Sequence, residues 1–319
     1  MEKRPDLSDI RKAHLRIAPY IHRTPALTCS SLNKMVAAEL YFKCENLQKV
    51  GAFKIRGATN AIFSLNLTEE ANSVVTHSSG NHAAALSLAA RNRGITARIV
   101  MPSNAPKVKI EAVKNYGGMI TFCEPNLASR ESAAAKIIAE TGATMIHPFN
   151  DYHVIAGQGT AALELMEDVP DLDYVLAPVG GGGLLSGTAI AAKSLNPGIK
   201  VIGCEPKNAD DAFHSIQAGR IIPPENPNTI ADGLKTSLGD KTFPIIRELV
   251  DDIILATEEE IVTGMRHIFE RMKIIVEPSS AVPFGALLAK KLNVTGKKVG
   301  IIISGGNVDF SDFFSRDNL

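Results

Sequence analysis

Lys54 stands in Gly51-Ala-Phe-Lys-Ile-Arg-Gly57, an amine between two apolar side chains in a stretch bracketed by glycines. Burial disfavours the ammonium form, and a neutral amine attacks a carbonyl to form a Schiff base, so the segment offers a nucleophile or a cofactor anchor. A lone lysine in such a setting is more often one whose stem lies along an apolar surface with its charge in water. What the rest of the chain supplies decides between the two. Val179 is followed by Gly180, Gly181, Gly182 and Gly183, and then by a helical stretch that opens at Leu184. Strand, bare backbone and helix N-terminus together present N–H groups and the positive end of a helix dipole to an anion. Four consecutive glycines lose much chain entropy on ordering, which favours a phosphate site over a plain turn. No Gly-Lys-Ser/Thr follows, and the dinucleotide spacing Gly-x-Gly-x-x-Gly is missing, so the phosphate belongs to another kind of ligand.

Two further turns carry polar groups. Thr76-His-Ser-Ser-Gly-Asn-His82 brings hydroxyls, an amide and imidazoles to a strand-to-helix junction, where each residue alone also suits a helix cap. Ser304-Gly-Gly-Asn307 follows the apolar strand Gly300 to Ile303, at the position where open α/β sheets bind ligands. Cys204-Glu-Pro-Lys-Asn-Ala-Asp-Asp211 ends another strand with carboxylates at Glu205, Asp210 and Asp211; it reads equally as a solvated acidic loop or as a site for a hard cation.

The elements that must position these groups follow a βαβ rhythm. Strand-like runs at Ser73 to Thr76, Ala97 to Met101 and Met119 to Cys123 alternate with helical stretches at Ala83 to Arg91 and Lys107 to Tyr116. The pattern resumes with strands at Tyr174 to Val179, Lys200 to Cys204 and Val299 to Ile303, and a helix at Leu184 to Leu195. Gly94, Gly117 and Gly142 sit at helix exits, and the proline-rich Ile221 to Asn228 reads as a rigid surface connection. At 319 residues two lobes are expected. The 34 basic and 34 acidic side chains balance, which argues against nucleic acid or an anionic membrane and for a small polar metabolite. Cys29, Cys44, Cys123 and Cys204 lack metal or disulfide spacing, and no apolar run is long enough to span a membrane, so a soluble cytoplasmic protein is expected.

Phe53-Lys-Ile-Arg-Gly57, Ser78-Ser-Gly-Asn-His82, Gly180 to Gly183 and Ser304-Gly-Gly-Asn-Val-Asp309, in that order, resemble the fold type II pyridoxal phosphate enzymes. Within them the chain is similar to the serine racemase and serine/threonine dehydratase family. Glu205 to Asp211, Ile230-Ala-Asp-Gly-Leu-Lys-Thr236 and Ser129-Arg-Glu131 incline it to the racemases. The resemblance implies an α/β, tryptophan synthase β-like fold with two open, twisted, mainly parallel sheets flanked by helices. It implies a large domain of residues 1–72 and 151–319, a small mobile domain of residues 73–150, and a homodimer. Lys54 would carry the cofactor as a Schiff base, with Phe53 against its ring. Gly180, Gly181, Gly182, Gly183, Leu184 and Gly233 would bind its phosphate end, Asn81 its ring hydroxyl and Ser304 its ring nitrogen. A neutral hydroxyl there does not hold the nitrogen protonated as an aspartate would.

Ser79 matches the opposing acid/base of the family's racemases, while Ser78, Asn81, His82, Arg130 and Thr236 would receive the substrate. Racemisation needs a proton donor on each face of Cα, which Lys54 and Ser79 supply. Glu205, the Ala209 carbonyl and Asp211 match a Mg²⁺ (or Mn²⁺ or Ca²⁺) site. Ser30, Lys273 and Asn307 match an ATP effector site, although Cys29 and Val50 replace hydroxyl residues there. Ala83 replaces a glycine, and His147-Pro-Phe-Asn-Asp151 is similar to dehydratases. The expected activity is serine racemisation with serine/threonine dehydration. The alternatives are an L-threo-3-hydroxyaspartate ammonia-lyase or threonine dehydratase, an oxidoreductase, and a non-catalytic amino-acid sensor.

Overall fold

β-Branched runs separated by alanine-rich stretches form two sheets in the computed structural model, which describes residues 3–66, 72–78, 80–105 and 107–309. The strands are β1 (Ala26–Leu27), β2 (Glu39–Cys44), β3 (Ser73–His77), β4 (Thr96–Pro102), β5 (Met119–Cys123), β6 (Thr144–Met145), β7 (Tyr174–Pro178), β8 (Lys200–Pro206), β9 (Asp252–Ala256) and β10 (Lys298–Ile303). A six-stranded sheet runs β1-β2-β10-β7-β8-β9, and a four-stranded sheet runs β5-β4-β3-β6. Every pairing is parallel except β1 with β2. Parallel strands covered on both faces need apolar side chains throughout. Val299 to Ile303 and Val175 to Pro178 accordingly are all buried, whereas edge strand β5 is largely exposed.

Local signals set the helix ends. Asp6 and Asp9 form a capping box on the helix Leu7–Ile17, and Asp151 accepts the His153 and Val154 amides to open Tyr152–Asp168. Gly94 and Gly142 close their helices in the left-handed conformation, and Gly117 also has positive φ. The helix after β3 starts at Asn81, two residues before the alanine run suggests, because the Gly80 carbonyl accepts from Ala83 and Ala84. Asn81 and His82 therefore sit on the first turn of this helix.

The helix Lys54–Ser64 is held in two ways. Gly57 and Gly157 let it approach Tyr152–Asp168 so closely that a Cβ on Gly157 would lie 2.6 Å from the Gly57 Cα. Behind this contact the Arg56 guanidinium, fully buried, forks onto Glu45 and Glu164 with four bonds of 2.7–2.8 Å and adds one of 3.1 Å to Thr160 Oγ1. Buried Lys43 pairs with Glu164 at 2.7 Å and donates to the Thr24 carbonyl, while Thr24 Oγ1 donates to Glu45. Burial opposes the charge on Arg56, but Glu45 and Glu164 outweigh it and raise its pKa. Arg56→Met should cost about 3–5 kcal/mol, because two carboxylates lose their main partner in a dry site. The double change with Glu45→Gln should lose less than the single one, because Glu164 keeps Lys43 as its partner, as measured by urea unfolding.

Candidate active site

Parallel pairing brings the C-terminal ends of β2, β10, β7 and β8 to one edge of the larger sheet, with Ile303 opposite Cys44 and Pro178 opposite Cys204. Lys54 is the first residue of its helix, directly above this edge, and the Phe53 amide donates to the Ser304 carbonyl at 2.9 Å. The half-buried Lys54 Nζ donates to the Pro148 carbonyl at 3.0 Å and lies 5.1 Å from the Phe53 ring centroid. Burial lowers its pKa to about 8, and Glu277 pulls in the opposite direction. His77 and His147 stack edge to face, and His147 does the same with Phe149. Burial holds His147 down to about 4, lowers His77, and puts buried His82 well below its ordinary value, with Lys54 adding to the shift of His82 and His147. His82 and His147, both held toward the neutral form, thus lie within electrostatic range of the amine.

The tetraglycine segment leads from β7 into the helix Gly183–Leu195, which no side chain caps. Gly182 has φ of 85°, and a Cβ on Gly181 would fall 2.3 Å from the Phe149 ring, so only bare backbone fits this turn. Its other flank carries two predicted residues. The Gly233 carbonyl and Thr236 Oγ1 lie 3.1 and 3.3 Å from a Cβ built on Gly180. Uncapped N–H groups at the head of a thirteen-residue helix favour a negatively charged group.

Asn81 meets the other half of the site. Its amide donates to both carboxylate oxygens of Glu277, at 3.1 and 3.0 Å, and its carbonyl accepts from Asn307 Nδ2 at 2.9 Å. Asn307 also donates to the Val50 carbonyl, and the Glu277 amide donates to the Gly305 carbonyl. Burial raises the Glu277 pKa to about 7, while the Asn81 bond works against that rise. Ser304 Oγ is buried at the end of β10, 2.9 Å from Ser280 Oγ. Neither Glu277 nor Ser280 stands out in the sequence. The one available signal is that Glu277 precedes the helix Pro278–Leu288 without capping it, which leaves its carboxylate for another partner.

The remaining predicted residues are placed as follows. Ser78 Oγ accepts the Gly80 amide, and buried His82 points Nε2 at the Ile146 carbonyl, 3.4 Å away, with Nδ1 unpartnered. Ser79 lies outside the described residues. Arg130, half-buried on the helix Leu127–Thr141, contributes to lowering the His77 pKa but has no described contact with Lys54. Ser30 and Lys273 are exposed at the start of one helix and the end of another, so of the three nucleotide candidates only Asn307 touches the Asn81 cluster. Glu205 is buried and accepts from the Ala212 and Phe213 amides, while both carboxylate oxygens of Asp211 are buried without a hydrogen-bond partner. Burial raises Glu205 to about 9 and Asp211 to about 7. No group of three or more His, Cys, Asp and Glu side chains forms a metal cage among the described residues. Two carboxylates and the buried Ala209 carbonyl fit a hard cation that completes its shell with water.

An amine of lowered pKa, an anion-binding helix head and a buried hydroxyl at a strand end fit one ligand that bears an aldehyde, a phosphate and a ring nitrogen. The profile of the family described as pyridoxal-phosphate dependent enzyme matches residues 17–305, and the chain belongs to that family. Within it, the chain is 55% identical over 309 residues to a serine racemase of Dictyostelium discoideum, covering 96% of this chain and 95% of that protein. It is 50% identical over 305 residues to a beta-hydroxyaspartate dehydratase of Paracoccus denitrificans, covering 96% and 97%. The solved structure of maize serine racemase superposes with a TM-score of 0.94 at 50% identity, covering 97% of this chain and 96% of that one.

The amine attacks only when neutral, so apoprotein should capture pyridoxal phosphate at a rate that rises with pH and levels off above about 8, not 10.5. Glu277→Gln removes the anion that raises the Lys54 pKa, so the levelling point should move to lower pH. Stopped-flow absorbance of the Schiff base reads both profiles.

Proposed function

We propose that the chain interconverts L- and D-serine and also dehydrates L-serine and L-threonine to 2-oxo acids and ammonia, using pyridoxal phosphate held at Lys54. The observation that carries this reading is the pairing of a lysine of lowered pKa with the bare-backbone helix head and the Ser304 hydroxyl at one sheet edge. Bound pyridoxal phosphate supplies the electron sink that acidifies the Cα–H of an attached amino acid. Phe53 faces the ring, Gly180 to Gly183 with Leu184 and Gly233 hold the phosphate, Asn81 meets the ring hydroxyl and Ser304 the ring nitrogen. The Lys54 amine takes or returns the Cα proton on one face, and the Ser79 hydroxyl serves the other. Ser78, Asn81, His82, Arg130 and Thr236 receive the substrate.

The chain segment that carries the four-stranded sheet, residues 73–150, acts in this reading as a small domain closing on the large one (1–72 and 151–319) and excluding water. The ion pair from Lys109 to Asp232, next to Gly233, joins the two across the site. The same reading includes a cytoplasmic homodimer, a divalent cation at Glu205, Ala209 and Asp211, and a nucleotide effector at Ser30, Lys273 and Asn307. A second reading, an L-threo-3-hydroxyaspartate ammonia-lyase, is favoured by the hydroxyaspartate dehydratase at 50% identity. It would show as turnover of that substrate far above that of serine in a side-by-side product assay.

Ser79→Ala should abolish racemisation yet spare elimination from one enantiomer, whereas Lys54→Ala should lower both by roughly 10²–10⁴-fold. Chiral chromatography and 2-oxo acid assays separate the two, and equal loss of both activities in Ser79→Ala refutes the two-faced mechanism. Mg²⁺ should raise Tm by a few degrees in the native protein but not in Asp211→Asn, because a cation bound only to the folded state stabilises it.

A further inference from the structure

The peptide unit between Pro148 and Phe149 is held at both ends. Its carbonyl accepts from the Lys54 amine at 3.0 Å, and its N–H donates to His147 Nδ1 at 3.4 Å. The Asn150 N–H reaches the same ring nitrogen at 3.0 Å. A backbone N–H can only donate, so Nδ1 is the acceptor in both bonds, and the hydrogen of the neutral ring sits on Nε2. Burial, which holds this imidazole down to about 4, acts in the same sense. In a planar trans peptide the N–H and the C=O point in opposite directions. Turning the Phe149 N–H toward His147 therefore turns the Pro148 carbonyl the other way, onto Lys54.

The neighbours leave this unit little freedom. Proline brings no N–H of its own to compete for Nδ1. Phe149 meets His147 edge to face, and its backbone lies so close to the glycine segment that a Cβ on Gly183 would fall 3.1 Å from the Phe149 Cα. Asn150 Oδ1 accepts the Lys241 amide at 2.9 Å, and Asn150 Nδ2 donates to Asp240 at 2.6 Å. Nδ1 stands as many bonds from its own backbone as the side-chain oxygen of Asn or Asp, which closes turns by accepting an amide two residues on. His147 plays that part with a larger ring. A neutral amine has two hydrogens and one lone pair, so giving one hydrogen to Pro148 leaves the Lys54 lone pair free to take a proton. We infer that His147 is a positioning residue: by accepting the Phe149 and Asn150 amides it aims the Pro148 carbonyl at the Lys54 amine, and that carbonyl holds the amine in place whenever it is not bonded to the cofactor. The inference rests on the role of Lys54 proposed above.

Three substitutions test it. His147→Leu keeps bulk and removes the acceptor, His147→Asn returns an acceptor at the Nδ1 position without the Nε2–H, and His147→Gln sets the acceptor one methylene too far out. In the holoenzyme with L-serine, His147→Leu should lower kcat for racemisation and elimination together by roughly tenfold to hundredfold, the scale of about 1 Å of misplacement, and leave KM nearly unchanged. His147→Asn should recover most of that loss. Apoprotein should show the same order in stopped-flow capture of pyridoxal phosphate, with His147→Asn close to native and His147→Leu slower. The ¹⁵N-histidine spectrum should contain a neutral, Nε2-protonated ring that His147→Asn deletes. If His147→Leu does not fold, His147→Gln takes its place in the same comparison. A His147→Asn variant as impaired as His147→Leu overturns the inference, as does a His147→Leu variant that matches the native protein, or a His147 ring protonated on Nδ1. If native apoprotein forms no bond to pyridoxal phosphate at Lys54, the assignment of Lys54 fails and the inference falls with it.

Discussion

The guanidinium of Arg56, sealed between Glu45 and Glu164, is the constraint on which the site depends. Its helix begins two residues earlier at Lys54, so whatever fixes Arg56 also fixes the amine. Four charges in a dry interior are tolerated only because each meets an opposite charge or a backbone acceptor; Lys43 supplies the second cation. The rotation of the helix is thereby set by geometry that a packed apolar face could not specify so narrowly. Lys54 itself projects to the opposite side, among neutral imidazoles and an aromatic ring, where the environment depresses its charge rather than supporting it. About half a turn of helix thus separates a site that stabilises ions from one that disfavours them.

A second set of bonds ties residues 277–307 to Asn81. Asn307 holds Asn81, Asn81 holds Glu277, Glu277 holds Gly305, and Gly305 with Ser304 meets Ser280. Each link is a single hydrogen bond or a bidentate pair, modest alone and mutually reinforcing in a low-dielectric interior. The Asn81 turn comes from the four-stranded sheet and the rest from the six-stranded one. A shift between the sheets therefore changes the polar groups presented to the reacting centre.

Much of this was legible in the residues. The strand rhythm from Ser73 to Cys123 and the glycine run after Val179 are local signals, and β-branched spacing and bare backbone have few other uses. Lys54 could be singled out for the same reason, once a phosphate site and polar turns were found to accompany it. Glu277, Ser280 and the Arg56 cluster were not legible. Arg56 reaches Glu164 across 108 positions of sequence, and Asn81 reaches Glu277 across 196, so no spacing announces either pair. A glutamate before a proline and a serine within an apolar helix look ordinary until the fold brings their partners. The carboxylates at Glu205 and Asp211 were visible as a pair, but only the structure shows that one caps a helix while the other has both oxygens buried without a hydrogen-bond partner.

The position of β10 has a consequence for biosynthesis. Although it is the last of the described strands in sequence, it lies in the middle of the larger sheet, hydrogen-bonded to β2 on one side and β7 on the other. A chain emerging from the ribosome therefore holds β2 and β7 ready long before the strand that joins them exists. Until then each has an unpaired edge, the feature that invites pairing with a neighbouring nascent chain. The four-stranded sheet, built from one continuous stretch, has no such wait. The larger sheet can close only once β10 has been made, so the protein should make its heaviest demand on chaperones before that strand pairs with β2 and β7.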